Sequence, residues 1–136
     1  MSKSLSPYLN FDGNCAEAMK FYAEILGGEP QIMPWSAAPG PSAPGTEDRV
    51  MHATLAIDGL LLYASDTFPG APFNPGNNVH LSLDLTDPNE QTRIYKALSE
   101  GGTVGMELGD QFFGRFGSVT DKFGVNWMLM LQTPQG

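Results

Sequence analysis

GRFGSVTDKFGVNWMLML, residues Gly114 to Leu131, reads as a strand, a tight turn at Thr120-Asp121-Lys122-Phe123-Gly124, and a second strand that ends the fold. Asp121 is suited to bond backbone two residues on, and Gly124 to take positive φ, so the flanking runs are predicted to pair antiparallel. The run Val125 to Leu131 is apolar except at Asn126, which predicts a strand covered on both faces by segments from earlier in the chain.

Upstream, two helix starts stand out. Asn14 with Glu17 three residues later forms a capping-box pattern, and Met19, Tyr22, Ala23 and Leu26 follow at the spacing of one buried stripe, ending at Gly27-Gly28. Asp87-Pro88-Asn89-Glu90 opens a second helix with Asp as cap and Pro at its first position, carrying Ile94, Tyr95 and Leu98 to Gly101-Gly102. Between and around these lie strand signals at Leu5–Phe11, Glu29–Met33, Val50–Ile57, Leu60–Ser65, Val79–Leu85 and Thr103–Glu107. Asp58-Gly59 separates two of them as a two-residue hairpin turn. Pro34–Asp48 and Thr67–Asn78 are Pro/Gly loops, without the apolar periodicity that orders a segment, and are expected to be the most mobile parts of the chain.

The order is strand, helix, three strands, then the same again. Two βαβββ modules, approximately 1–70 and 71–136, thus make up a single domain over 1–136. The fold class predicted is α+β, with the modules forming a curved, mostly antiparallel sheet with helices outside and a central cleft.

Composition narrows the partners. With 7 Lys and Arg against 15 Asp and Glu the formal net charge is −8, so no basic footprint for nucleic acid exists. No run approaches the roughly 18 apolar residues of a membrane span, and the N-terminal MSKSLSPYLNF has no signal-peptide core. A cytoplasmic chain without membrane or nucleic-acid partners is expected. The single Cys15 permits no internal disulfide; at a helix start the dipole favours its thiolate, against the alternative of a small buried side chain.

The paired βαβββ order, the helix end Phe21-Tyr22-Ala23-Glu24-Ile25-Leu26-Gly27-Gly28, His80 at the opening of the second module, and Gly117 through Met128 resemble the glyoxalase / bleomycin-resistance / dioxygenase (vicinal oxygen chelate) superfamily. Within it, Gln111 to Met130, with Phe-Phe-Gly-Arg-Phe-Gly and Asp-Lys-Phe-Gly-Val-Asn-Trp, resembles the PhnB-like branch. Proteins of this kind are often labelled 3-demethylubiquinone 3-methyltransferase domains. A methyltransferase needs a Gly-rich strand-to-helix turn around its cofactor, and no G-x-G opens a helix here, so that activity is not expected.

The resemblance implies a metal site drawn from the first, fourth, fifth and last strands. Those positions fall at Pro7 or Tyr8, in the apolar run around Leu62, at His80 and at Met128, so one donor of four remains and no metal or other cofactor is expected. The ligand-binding residues predicted are Tyr8, His80, Phe112, Arg115 and Met128, for a small anionic or aromatic molecule. Three aromatics, Phe112, Phe113 and Phe116, surround Arg115, whose guanidinium both stacks and pairs with carboxylates; the alternative is a strand edge packed on the core. Phe68 and Phe73 are placed to close over such a ligand. His52 is a weaker candidate. Trp127 and Met128 read first as core.

Non-metal small-molecule binding is thus the leading function, with the cleft shared in a homodimer as the resemblance implies. The alternatives are a metal-dependent lyase or dioxygenase using His52, His80, Asp66 and Glu107, and a dimeric structural module with no ligand.

Overall fold

The computed structural model describes residues 2–37, 40, 44–57 and 59–132. Its elements are β1 (Tyr8–Phe11), α1 (Cys15–Leu26), β2 (Gln31–Pro34), β3 (Val50–Ile57), β4 (Leu60–Asp66), β5 (Leu81–Leu85), α2 (Pro88–Ser99), β6 (Thr103–Gln111), β7 (Gly114–Thr120) and β8 (Asn126–Leu131), with one 3₁₀ turn at Trp35–Ala37. The βαβββ order therefore occurs twice. The chain divides into two units, Met1–Asn74 and Pro75–Gly136, one module in each.

Each module is a four-stranded mixed sheet, ordered β1-β4-β3-β2 in the first and β5-β8-β7-β6 in the second. The first strand of each pairs parallel with the last, because the helix carries the chain across the sheet, and the remaining pairings are antiparallel.

In the first module the side chains alternate faces. Phe11, Ala53, Leu55, Leu62 and Ala64 are buried on the face that packs α1, through Ala18, Met19 and Tyr22. In the second, α2 sets Ile94, Tyr95 and Leu98 against the face carrying Leu85, Val119, Trp127 and Leu129. Gly117 is required there, since a Cβ would lie 2.9 Å from the Tyr95 ring.

The terminal hairpin forms as its sequence predicts, and Asp121 organises it. One carboxylate oxygen accepts the amides of Phe123 (2.8 Å) and Val125 (3.1 Å), and the other accepts the Trp127 indole N–H at 2.9 Å. β8 is not covered on both faces within its module, however. Trp127 and Leu129 lie under α2, while Met128 and Met130 are half-buried on the other side.

Several expectations shift. Asn14 occupies the N-cap position of α1 but makes no side-chain cap bond. The cap comes instead from Asp66 at the end of β4, whose Oδ1 accepts the amides of Gly13 (2.8 Å) and Cys15 (3.0 Å) and whose Oδ2 accepts that of Val50 (2.8 Å). Asp87 caps α2 as its sequence predicts, accepting the Asn89 amide. β5 begins at Leu81 rather than Val79, since Asn126 Nδ2 donates to the carbonyls of Gly76 and Val79 and holds that backbone outside the ladder. The same bonds anchor the end of the Thr67–Asn78 loop. β6 runs on to Gln111 through irregular register near Gly105 and Gly109, with Ser118 Oγ accepting the stranded Met106 amide at 2.8 Å.

Of the Pro34–Asp48 loop, residues 38, 39 and 41–43 lie outside the described residues, as does Asp58 of the hairpin turn. Pro34 itself belongs to β2, and Ile57 pairs with Leu60 across the turn.

Candidate functional site

The face of the first sheet opposite α1 carries the polar and aromatic partners of the buried set. Tyr8 comes from β1, His52 and Thr54 from β3, and Tyr63 from β4. Cross-strand register puts Tyr8 opposite Tyr63 and Tyr63 opposite Thr54, so the three form one row across the sheet. His52 lies two residues along the strand from Thr54 and shares its face.

The rings converge. Centroids are 5.9 Å apart for Tyr8 and His52, 6.2 Å for Tyr8 and Tyr63, and 5.6 Å for His52 and Tyr63, with mutual tilts of 32° to 40°. Both imidazole nitrogens meet hydroxyls: Nε2 is 3.2 Å from Thr54 Oγ1, and Nδ1 is 3.4 Å from Tyr8 Oη, a long contact. Tyr8 is 48% exposed and His52 and Tyr63 are half-buried. An aromatic wall with an imidazole held between two hydroxyls can stack a ring and hydrogen-bond its substituents.

The second module distributes its predicted residues differently. Arg115 faces α2: Nη1 donates to Pro88 O (3.1 Å) and Gln91 Oε1 (2.8 Å), and Nη2 to Thr92 Oγ1 (2.9 Å). Gln91, fully buried, returns Nε2 to the carbonyls of Arg115 and Leu129. The guanidinium thus ties the first turn of α2 to β7, and neighbouring Phe116 takes the opposite face by strand alternation. Phe112 and Phe113 form the two-residue tip between β6 and β7, Phe112 fully exposed and edge-on to Phe113 at 5.0 Å. Phe116 is buried behind Phe113. Met128 lies on the face opposite α2 beside Ser82 and Ser118, and His80 is exposed just ahead of β5.

Arg115, Phe112 and Met128 are therefore not gathered around one point. Phe68 is 56% exposed and pairs with Trp35 at 5.3 Å, and Phe73 is 37% exposed. Thr54 and Tyr63, not singled out in the sequence, are set opposite one another by the antiparallel β3–β4 pairing, and Tyr63 meets Tyr8 through the parallel β1–β4 pairing.

The donors named for a metal do not assemble in the first module, where Asp66 lies on the α1 side and His52 on the other. Among the described residues no three His, Cys, Asp or Glu are grouped to hold an ion. Cys15 is fully buried, and burial, with Asp66 adding to the rise, pushes its thiol up to about 12, which removes the thiolate reading.

A family model described as 3-demethylubiquinone-9 3-methyltransferase matches residues 3–130. The chain belongs to this PhnB-like family. Protein YjdN of Escherichia coli is 34% identical, covering 92% of both chains. Protein PA1353 of Pseudomonas aeruginosa superposes with a TM-score of 0.88 at 38% identity, covering 98% of this chain and all of that one. The PhnB protein of Bacillus cereus does so at 0.79 and 28%, covering 96% and 100%.

Two more distant structures share the PhnB-like fold. One is a glyoxylase/bleomycin resistance protein/dioxygenase domain from Frankia (TM-score 0.66, 16% identity, 96% and 98% covered). The other is the bleomycin-binding protein of Streptomyces verticillus, complexed with copper(II)-bleomycin (0.54, 18%, 97% and 99%). The glyoxalase-like fold expected from the sequence is therefore the one found. In this PhnB-like chain both strand-to-helix turns hold internal carboxylates, Asp66 and Asp87, on the amides that a phosphate- or carboxylate-bearing cofactor would otherwise approach. No described helix is long and apolar enough to cross a membrane.

Proposed function

We propose that this chain binds a small aromatic-bearing molecule on the open face of its first sheet, with no resident metal and no methyl transfer. The observation that carries the reading is the convergence of Tyr8, His52 and Tyr63 on the side of the sheet that α1 leaves uncovered. In the first module the buried aromatics Phe11 and Tyr22 pack between α1 and the sheet; these three stand on the other face with part of their surface in solvent. The fold offers precedent in the bleomycin-binding protein.

Of the predicted ligand residues, Tyr8 belongs to this surface, while His80 and Met128 offer a second contact surface on the other module. Arg115 has a structural duty instead. A homodimer completes the reading, supported by the apolar side chains that β6 exposes at an edge, Val104 and Met106, each 44% exposed. So does a cytoplasmic location, supported by one cysteine, buried and unpaired.

The test is a thermal-shift screen of small aromatics on the purified chain, repeated on His52→Ala and Tyr8→Ala, with elemental analysis alongside. Stabilising hits that disappear in both variants and survive chelator are expected. Stoichiometric metal, removed by chelator together with the binding, would return the lyase or dioxygenase reading to first place. A sedimentation mass of one chain at micromolar concentration would sink the dimer.

A further inference from the structure

Resting on that reading of the first-module surface, we propose that its ligand is a neutral planar ring bearing a hydroxyl or carboxamide, and that the surface discriminates against the corresponding carboxylate. The surface offers ring faces and uncharged hydrogen-bonding atoms. Tyr63 Oη makes no hydrogen bond among the described residues, and Tyr8 Oη has a single, long one to His52. Both hydroxyls therefore retain capacity to donate and accept toward a bound group. Asn10 and Ser65, bonded to one another at 3.4 Å, extend the same polar face without adding charge.

No cation contacts this face among the described residues: no ion pair or cation–ring contact reaches Tyr8, His52 or Tyr63. Arg49 is held by Asp12 at 3.0 Å and by the Thr67 carbonyl at 2.8 Å. Lys20 rides on α1, behind the sheet, and Lys3 stands in the segment ahead of β1. Within the second module, Arg115 is bound to Pro88, Gln91 and Thr92.

A carboxylate laid on this face would lose water and gain no cation from the described residues that form it, within the field of a chain of net charge −8. A carboxamide of the same shape loses far less, and its N–H₂ and C=O match the hydroxyl pair. Stacking is common to both, so charge alone separates them.

The experiment is calorimetric titration at pH 8 with 4-hydroxybenzamide and 4-hydroxybenzoate, on wild type, Tyr8→Ala and Tyr63→Phe. Expected are at least tenfold tighter binding of the amide, a further loss of tenfold or more in Tyr8→Ala, and a smaller loss in Tyr63→Phe, which keeps the ring. Equal or tighter binding of the benzoate that still falls in Tyr8→Ala overturns the charge preference and leaves the surface standing. Binding of either probe that ignores both substitutions overturns the surface itself. No binding of either probe overturns the proposed ligand class.

Discussion

The two modules share one topology and close their helices with paired glycines, yet they hold their helix N-termini and use their sheets in different ways. In the first, Asp66 reaches from the end of β4 to the amides of Gly13, Cys15 and Val50, welding the helix start to two strands. In the second, Asp87 caps its own helix from one residue away, and the weld is made by Arg115 and Gln91 between α2, β7 and β8. The first module thereby directs its charged anchor under the helix and leaves an uncharged aromatic face. The second directs its cation under the helix and leaves thioethers at Met128 and Met130. A topological repeat fixes where the open faces are; individual side chains fix what each can bind.

The comparison breaks most visibly if its two aspartates prove equivalent. Asp66→Ala strands three backbone amides and is expected to cost about 3 kcal/mol or more, whereas Asp87→Ala removes one local cap and costs about 1 kcal/mol. Urea midpoints of the two variants check this, and equal losses would contradict it.

Arg115→Ala sharpens the second half of the contrast. It leaves the buried Gln91 oxygen without its donor, so a loss of about 2 kcal/mol of stability is expected, with affinity for an aromatic ligand unchanged where the fold persists. A loss of affinity without loss of stability would restore Arg115 as a ligand residue.

Cys15 gives a pH signature confined to the first module. Its folded pKa is raised above the unfolded value of 9.0, so it adds stability that is complete below pH 9 and declines as pH rises toward about 12. Wild type should therefore lose about 1 kcal/mol relative to Cys15→Ala between pH 8 and 10, read from denaturation at each pH. A flat difference would mean that the thiol ionises freely in the folded chain. Smallest of all, Phe112→Ala should change stability by under about 0.5 kcal/mol, because the ring is fully exposed.

Much of the frame was legible in residues whose partners are near in sequence. The hairpin signal at Asp58-Gly59 predicts Ile57 opposite Leu60, and that register, as found, puts Tyr63 opposite Thr54, with His52 on the same face. The terminal turn and the Asp87 cap are likewise local. What escaped was long-range: Asp66 lies 53 residues from Gly13, and Tyr8 joins Tyr63 only through a parallel pairing that no turn specifies. Arg115 looked available because its acceptors on α2 lie 23 to 27 residues earlier, and aromatic neighbours suggested a ligand in place of a helix.

The central claim, that the ligand surface is the uncharged aromatic face of the first module, is tested most directly by following backbone amide resonances during titration with 4-hydroxybenzamide. The largest shifts are predicted at Tyr8, His52, Thr54 and Tyr63, with the hairpin tip from Phe112 to Phe116 unmoved. Shifts concentrated at Phe112 to Phe116, with the first-module row silent, would contradict it.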